Sequence, residues 1–194
     1  MTKILIIAAY LLITTALFAQ EKKTNKSTIQ FNSFNQVGLL NGDAGASYDV
    51  QSINGISIGK WGVGIGVAID NYINRSVPVF LNVRRELTNN INRPFIYAGS
   101  GLNYNWLTNI QKEGKGSPYS TTPGLFFDAG IGYKIQSKNR VGFVMSAGYS
   151  YKQSKELVGS QSWGMPWPMP GQTQNLEKIN SQFRRIVIRV GIDL

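Results

Sequence analysis

The sequence predicts an all-β protein: a closed antiparallel up-and-down transmembrane β-barrel of about eight strands. Three observations predict it. The chain opens on an export signal. Beyond the signal the residues alternate with a period of two and show no helical stripe. That alternation sets a bulky, wholly apolar face against a small or charged one, the reverse of a soluble strand with its polar side in water.

Composition fits this class and removes others. The chain has 194 residues, 42% hydrophobic and 15% charged, which is one-domain length and too apolar for disorder. It contains neither Cys nor His. Disulfides, thiolate metal sites and Cys nucleophiles are excluded, together with the commonest general base and zinc ligand. Net charge is +10, with 20 basic against 10 acidic residues. Basic chains meet nucleic acid or anionic lipid, and export leaves nucleic acid out.

Met1-Thr2-Lys3 is a short positive start, Ile4 to Phe18 is apolar apart from Thr14 and Thr15, and Ala19 precedes a polar run. This is a secretory signal over 1–19, cleaved after Ala19. Its apolar stretch is shorter than the ~20 residues of a spanning helix, the competing reading. A short segment, 20–28, leads into a barrel at 29–194 in the outer membrane.

The first two strands, 29–40 and 47–58, alternate weakly and are assigned because an even count needs them. The third, WGVGIGVAID at 61–70, is the clearest. Trp61, Val63, Ile65, Val67 and Ile69 share one face; Gly62, Gly64, Gly66, Ala68 and Asp70 share the other. In the fourth, Val77, Val79, Leu81 and Val83 oppose Phe80, Asn82, Arg84 and Glu86, with Pro78 near the start, where the missing N–H is tolerated. In the fifth, Ile96, Leu102, Tyr104 and Trp106 oppose Tyr97, Gly99 and Gly101. The last three, 125–135, 141–152 and 184–194, place Asp128, Lys134, Lys152, Arg185, Arg189 and Asp193 opposite apolar rows. The connections 41–46, 71–76, 108–122 and 154–180 fall at one end, and 59–60, 88–93 and 136–140 at the other. Short turns are expected in the periplasm and long loops outside.

Aromatics on the bulky face gather toward strand ends. Tyr104, Trp106, Phe127, Tyr149 and Tyr151 form one expected girdle, and Trp61, Tyr133 and Phe143 the other. The small face carries Asp49, Asp70, Arg84, Glu86, Asp128, Lys134, Lys152, Arg185, Arg189 and Asp193. An eight-stranded barrel is filled by its own side chains, so these charges are expected to pair as a structural network. The expected upper set is Asp49, Asp70, Asp128, Arg185 and Lys152, and the lower set is Arg84, Glu86, Lys134 and Asp193, with Arg189 between. No glycine run has dinucleotide or P-loop spacing.

The signal, the hairpin WGVGIGVAIDNY…RSVPVFLNVRREL, the strand ends GYK and GYSY, and the final RIVIRVGIDL together resemble the small eight-stranded outer-membrane barrels of the OmpA/OmpX type, the "outer membrane protein beta-barrel domain" group. The resemblance covers most of the mature chain and carries no catalytic motif. One departure is the terminal Leu194, where such proteins usually end in an aromatic residue read by the insertion machinery. Barrel enzymes of this membrane use a His, which this chain lacks. The resemblance therefore implies a non-enzymatic protein without cofactor or metal.

The segment SWGMPWPMPG, 162–171, is the candidate contact surface: Trp163, Met165, Trp167 and Met169 on a chain stiffened by Pro. The plainer reading folds it over the barrel mouth. The expected function is a structural or surface-interaction role through the long loops of a monomer, with outer-membrane lipid and lipopolysaccharide as surroundings and a protein or surface partner at 154–180. A narrow transport or transport-accessory barrel and a soluble periplasmic lipocalin-like barrel for an apolar ligand are the alternatives. The last would place the apolar face inward.

Overall fold

The computed structural model describes residues 29–107, 119–136, 141–159 and 176–194. The signal (1–19), the segment 20–28 and the candidate contact residues Trp163, Met165, Trp167 and Met169 lie outside the described residues.

Nine strands are present among the described residues: β1 (Gln30–Gly42), β2 (Gly45–Ile58), β3 (Trp61–Asp70), β4 (Ser76–Glu86), β5 (Asn92–Asn105), β6 (Tyr119–Thr122), β7 (Gly124–Gln136), β8 (Gly142–Gly159) and β9 (Leu176–Asp193). All pairings are antiparallel, and every strand of the barrel wall pairs with its sequence neighbour. β9 returns to β1, from Phe34↔Asp193 to Gly42↔Arg185, and this closes the wall with eight strands. A closed wall leaves no open edge within it.

Register fixes the barrel's shape. A walk along paired residues leaves β1 at Asn32 and passes Gly55, Gly64, Asn82, Gly99, Asp128, Ser150 and Arg185. It re-enters β1 at Gly42, ten residues beyond its start. Eight strands with this stagger tilt about 40° and give a backbone radius of about 8 Å. Such an interior holds side chains and little else.

β6 is not a separate wall strand. It continues β7 along the same neighbour, but the register with β8 slips by one across Pro123. Thr122 faces Lys155, whereas Phe126 faces Lys152. Three residues oppose two, which is a β-bulge, and it sits at a proline that has no N–H for the ladder. Gly124 is required there, because a Cβ would collide with the Gln153 carbonyl oxygen. β8 and β9 likewise run on beyond the wall as one hairpin, from Gln153↔Gln182 to Gly159↔Leu176.

Several expected boundaries are corrected. The connection 41–46 shrinks to a two-residue turn, Asp43-Ala44, followed by Gly45 at φ +96. The described ends of the loop 154–180, residues 154–159 and 176–180, are strand, because the β8–β9 ladder continues into them. The loop 108–122 ends in β6. β5 begins at Asn92 rather than after Arg93. Gly59 opens the two-residue β2–β3 turn at φ +61, the left-handed geometry that such hairpin turns need. Pro78 is the third residue of β4.

The outward rows are mostly aliphatic and exposed, including Val63, Ile65, Val67, Leu81, Ile131, Ile186 and Ile188. β1 and β2 depart from this. Their outward rows carry Asn35, Ser52 and Asn54, and the two amides donate within the strand to Ser33 and Ser52. This polar block is why their alternation reads weakly.

Candidate functional site

The inward rows fill the barrel in layers. At the end where β1 begins and β9 ends, the terminal rim, Lys134 pairs with Asp193, and Arg93 pairs with Glu86. Arg84 lays its guanidinium over Phe34, 3.3 Å from the ring centroid, with Phe95 beyond. Phe34, Ile53, Ala68, Phe80, Phe95, Phe126 and Val144 form the apolar core of the barrel. Among them lies a small gap bordered by Gln36, Gln51, Asn82, Arg84, Tyr97 and Ser146, with room for about one water molecule. Gln51 donates to Gln36 at 2.6 Å across this level.

Toward the loop end, Arg189 spans the lumen. Its Nε donates to Asp49 Oδ2 at 2.9 Å and its Nη1 to Asp128 Oδ2 at 2.6 Å. Above it, Asp70 takes Arg185 on one oxygen and Lys152 Nζ on the other, the latter at 2.9 Å. Lys152 Nζ also donates to the carbonyl oxygens of Tyr72 and Asn74, at 2.9 and 3.1 Å, and lies 3.2 Å from Ser76 Oγ. Those carbonyls come from the β3–β4 turn, where Ile73 takes φ +57 and Asn74 N–H closes back on Tyr72 O at 2.7 Å. A β-branched residue in that region is strained, and the strained turn is what aims two carbonyls at one ammonium. Tyr72, Leu40 and Val187 form a second apolar cluster, with Phe183 packed against it.

The structure keeps Asp70, Arg185 and Lys152 together within the expected upper set, and Lys134 with Asp193 within the lower one, but groups the other inward charges differently. Arg189 is the hub of its own triad with Asp49 and Asp128, although Asp49 is the cross-strand partner of Asp70. Glu86 meets Arg93 rather than Arg84. Arg93 was legible: it lies two residues before Phe95 on the inward row of β5. Tyr72 and Asn74 were not, because a turn has no period. A further polar set at the loop end was also missed. Asn74 donates to Glu156 at 2.7 Å, Asn105 to Ser154 at 2.7 Å, and Asn103 to the Gln153 carbonyl at 3.1 Å. Among the described residues, no group of three or more acidic side chains could hold a metal ion.

Outside, Trp61, Tyr104, Trp106, Phe127, Tyr133, Phe143 and Tyr149 are exposed, and Tyr151 is half-buried. Given the tilt, Trp61, Tyr133 and Phe143 stand near the terminal rim. Tyr104 and Trp106 stand near the loop rim, with Tyr151, Phe127 and Tyr149 somewhat below them.

Comparison with known proteins agrees on the fold. The chain matches the crystal structure of the outer membrane protein OprG from Pseudomonas aeruginosa with a TM-score of 0.54 and 14% identity, over 87% of this chain and 95% of that one. It matches the crystal structure of Neisserial surface protein A (NspA) with a TM-score of 0.51 and 10% identity, over 86% and 96% of the two chains. The fold is that of a small outer-membrane β-barrel. No protein-family model matches the chain, and no curated protein does. Identity at this level speaks for the barrel and leaves its role to the residues.

Proposed function

We propose that the protein is a non-enzymatic resident of the outer membrane, anchored by its barrel, closed to solutes, and acting through its loop end in a structural or surface-interaction role. The observation that carries this reading is the pairing of a largely aliphatic outer surface with a lumen crossed by buried ion pairs. Arg185, Arg189 and Lys152 are each at most 1% exposed. A soluble barrel that binds an apolar ligand needs the opposite facing. A transport barrel needs a continuous polar path, and Phe80, Phe95 and Phe126 are part of the apolar core that fills the lumen. The carboxylates inside the wall, Asp49, Asp70, Glu86, Asp128 and Asp193, are held by Arg or Lys, which suits them to structure rather than to proton transfer. The protruding β8–β9 hairpin and the segment 162–171 with its Trp and Met residues are the proposed contact surface.

Two measurements on one preparation test this. Unheated protein from washed outer membranes should run at a different gel mobility from boiled protein. The same protein in a planar bilayer should show no sustained conductance. A stable open level would replace the closed-anchor reading with the transport one. Recovery in the soluble periplasm, with no mobility shift, would remove both.

A further inference from the structure

β4 ends, at both rims, in the same outward-facing arrangement. At the terminal rim, Arg85 is the cross-strand partner of Trp61, and its guanidinium carbon lies 5.0 Å from the indole centroid. At the loop rim, Arg75 precedes the strand and faces Trp106. The Trp106 N–H donates to the Arg75 carbonyl at 2.8 Å, and Arg75 Nε donates back to the Trp106 carbonyl at 3.1 Å. The Arg75 guanidinium carbon lies 4.2 Å from that indole centroid. Between the two arginines the outward row of β4 is Val77, Val79, Leu81 and Val83, with no polar residue.

The spacing has a physical scale. Arg75 and Arg85 are ten residues apart, about 33 Å along a strand. A tilt of about 40° projects that to about 25 Å along the barrel axis. The lipid-facing apolar band of an outer-membrane barrel is about 25 Å tall. The two guanidinium groups therefore stand one at each edge of the hydrocarbon, at headgroup level. Neither has an ion-pair partner among the described residues. Each lies beside an indole, and apart from Arg75 Nε, which is bonded to the Trp106 carbonyl, their guanidinium nitrogens make no hydrogen bond shown among the described residues. Planar guanidinium with free paired donors matches the geometry of a phosphate.

We propose that the Arg75–Trp106 and Arg85–Trp61 pairs are binding sites for lipid phosphate headgroups, one in each leaflet, and that together they set the depth of the barrel in the membrane. This rests on the membrane reading and adds to it a ligand class and four named residues.

The test is native mass spectrometry of the folded protein released from detergent containing dioleoylphosphatidylglycerol, with dioleoylglycerol as the phosphate-free probe. Wild type should retain two more phosphatidylglycerol molecules than Arg75→Gln/Arg85→Gln, and each single variant one more than the double. Dioleoylglycerol should show no such steps. Lys178→Gln, a change in the protruding hairpin, should retain as many as wild type. Equal retention by all variants, or an equal loss in Lys178→Gln, would overturn the proposal. Displacement by millimolar inorganic phosphate would also overturn it, by making free phosphate the ligand. The gel mobility shift is read on the same samples. Its absence in wild type would defeat the membrane reading itself, whereas its presence with equal retention defeats only the headgroup sites.

Discussion

Arg189 shows how a charge survives inside this barrel. It is 1% exposed, and taking a guanidinium out of water costs several kcal/mol even after relaxation. Two carboxylates from distant strands, Asp49 on β2 and Asp128 on β7, offset that cost with direct hydrogen bonds. Removing the cation is worse than never having had the triad, because two buried carboxylates are left facing each other across a narrow lumen. Arg189→Met should therefore destabilise the folded barrel by about 3–5 kcal/mol. The urea midpoint of the heat-shifted gel band in lipid vesicles reads this directly. Adding Asp49→Asn and Asp128→Asn to the same chain should recover most of the loss, since the remaining groups are neutral. A wild-type midpoint for Arg189→Met alone would show that the triad contributes nothing. Glycines guard the same space. At Gly38 a Cβ would run into the Asp49 carboxylate and the Arg189 side chain, so the small residue is what lets the triad cross.

Single strands carry the facing of the whole wall. Leu81 is 62% exposed, and by the barrel's tilt it stands near mid-height between Arg75 and Arg85. A charge there is harmless if that face meets water and costly if it meets lipid. Leu81→Arg should cost about 2–4 kcal/mol, the value for a cation at the bilayer midplane, against about 0–1 near the interfaces. Moving the same change to Leu87, beyond Arg85, should cost little. Equal urea midpoints for the two variants in vesicles would contradict the lipid-facing assignment. β3 to β5 and β7 to β9 were legible because a mostly apolar row faces one rich in glycine, polar and charged residues, and the register preserves that contrast on the barrel surface. β1 and β2 were faint because Asn35, Ser52 and Asn54 interrupt the outward row. The bulge at Pro123 was invisible as such: a proline within a polar stretch reads as loop, and only pairing with β8 shows that the strand resumes beyond it. The long β8–β9 hairpin was missed for a related reason. Above the wall the buried row of β8 is polar, with Ser154 and Glu156, and residues 177–180 of β9 are exposed on both faces, so the period-two contrast fades while the ladder continues.

For the molecule as a whole, strand number, stagger and the apolar outer rows constrain one another. Eight strands that re-enter β1 ten residues on leave little choice of tilt. That tilt makes the row from Arg75 to Arg85 about 25 Å tall along the axis. The inward charges impose the same geometry from within. Arg189 reaches Asp49 and Asp128, and Lys152 reaches Asp70 and two turn carbonyls, only while the strands keep this register. A barrel braced in this way cannot re-tilt freely to match a membrane of different thickness, so the bilayer must deform instead. Deformation costs fractions of a kcal/mol per Å of mismatch. In a series of saturated phosphatidylcholine vesicles of increasing chain length, the urea midpoint should peak where the hydrocarbon core is near 25 Å. It should fall as the core approaches the roughly 30 Å of a typical bilayer. Arg75→Gln/Arg85→Gln should flatten that peak without moving it, because the apolar rows remain while the headgroup contacts at their edges are lost. A midpoint that climbs steadily into thicker bilayers would mean that the arginines do not mark the edges of the hydrocarbon.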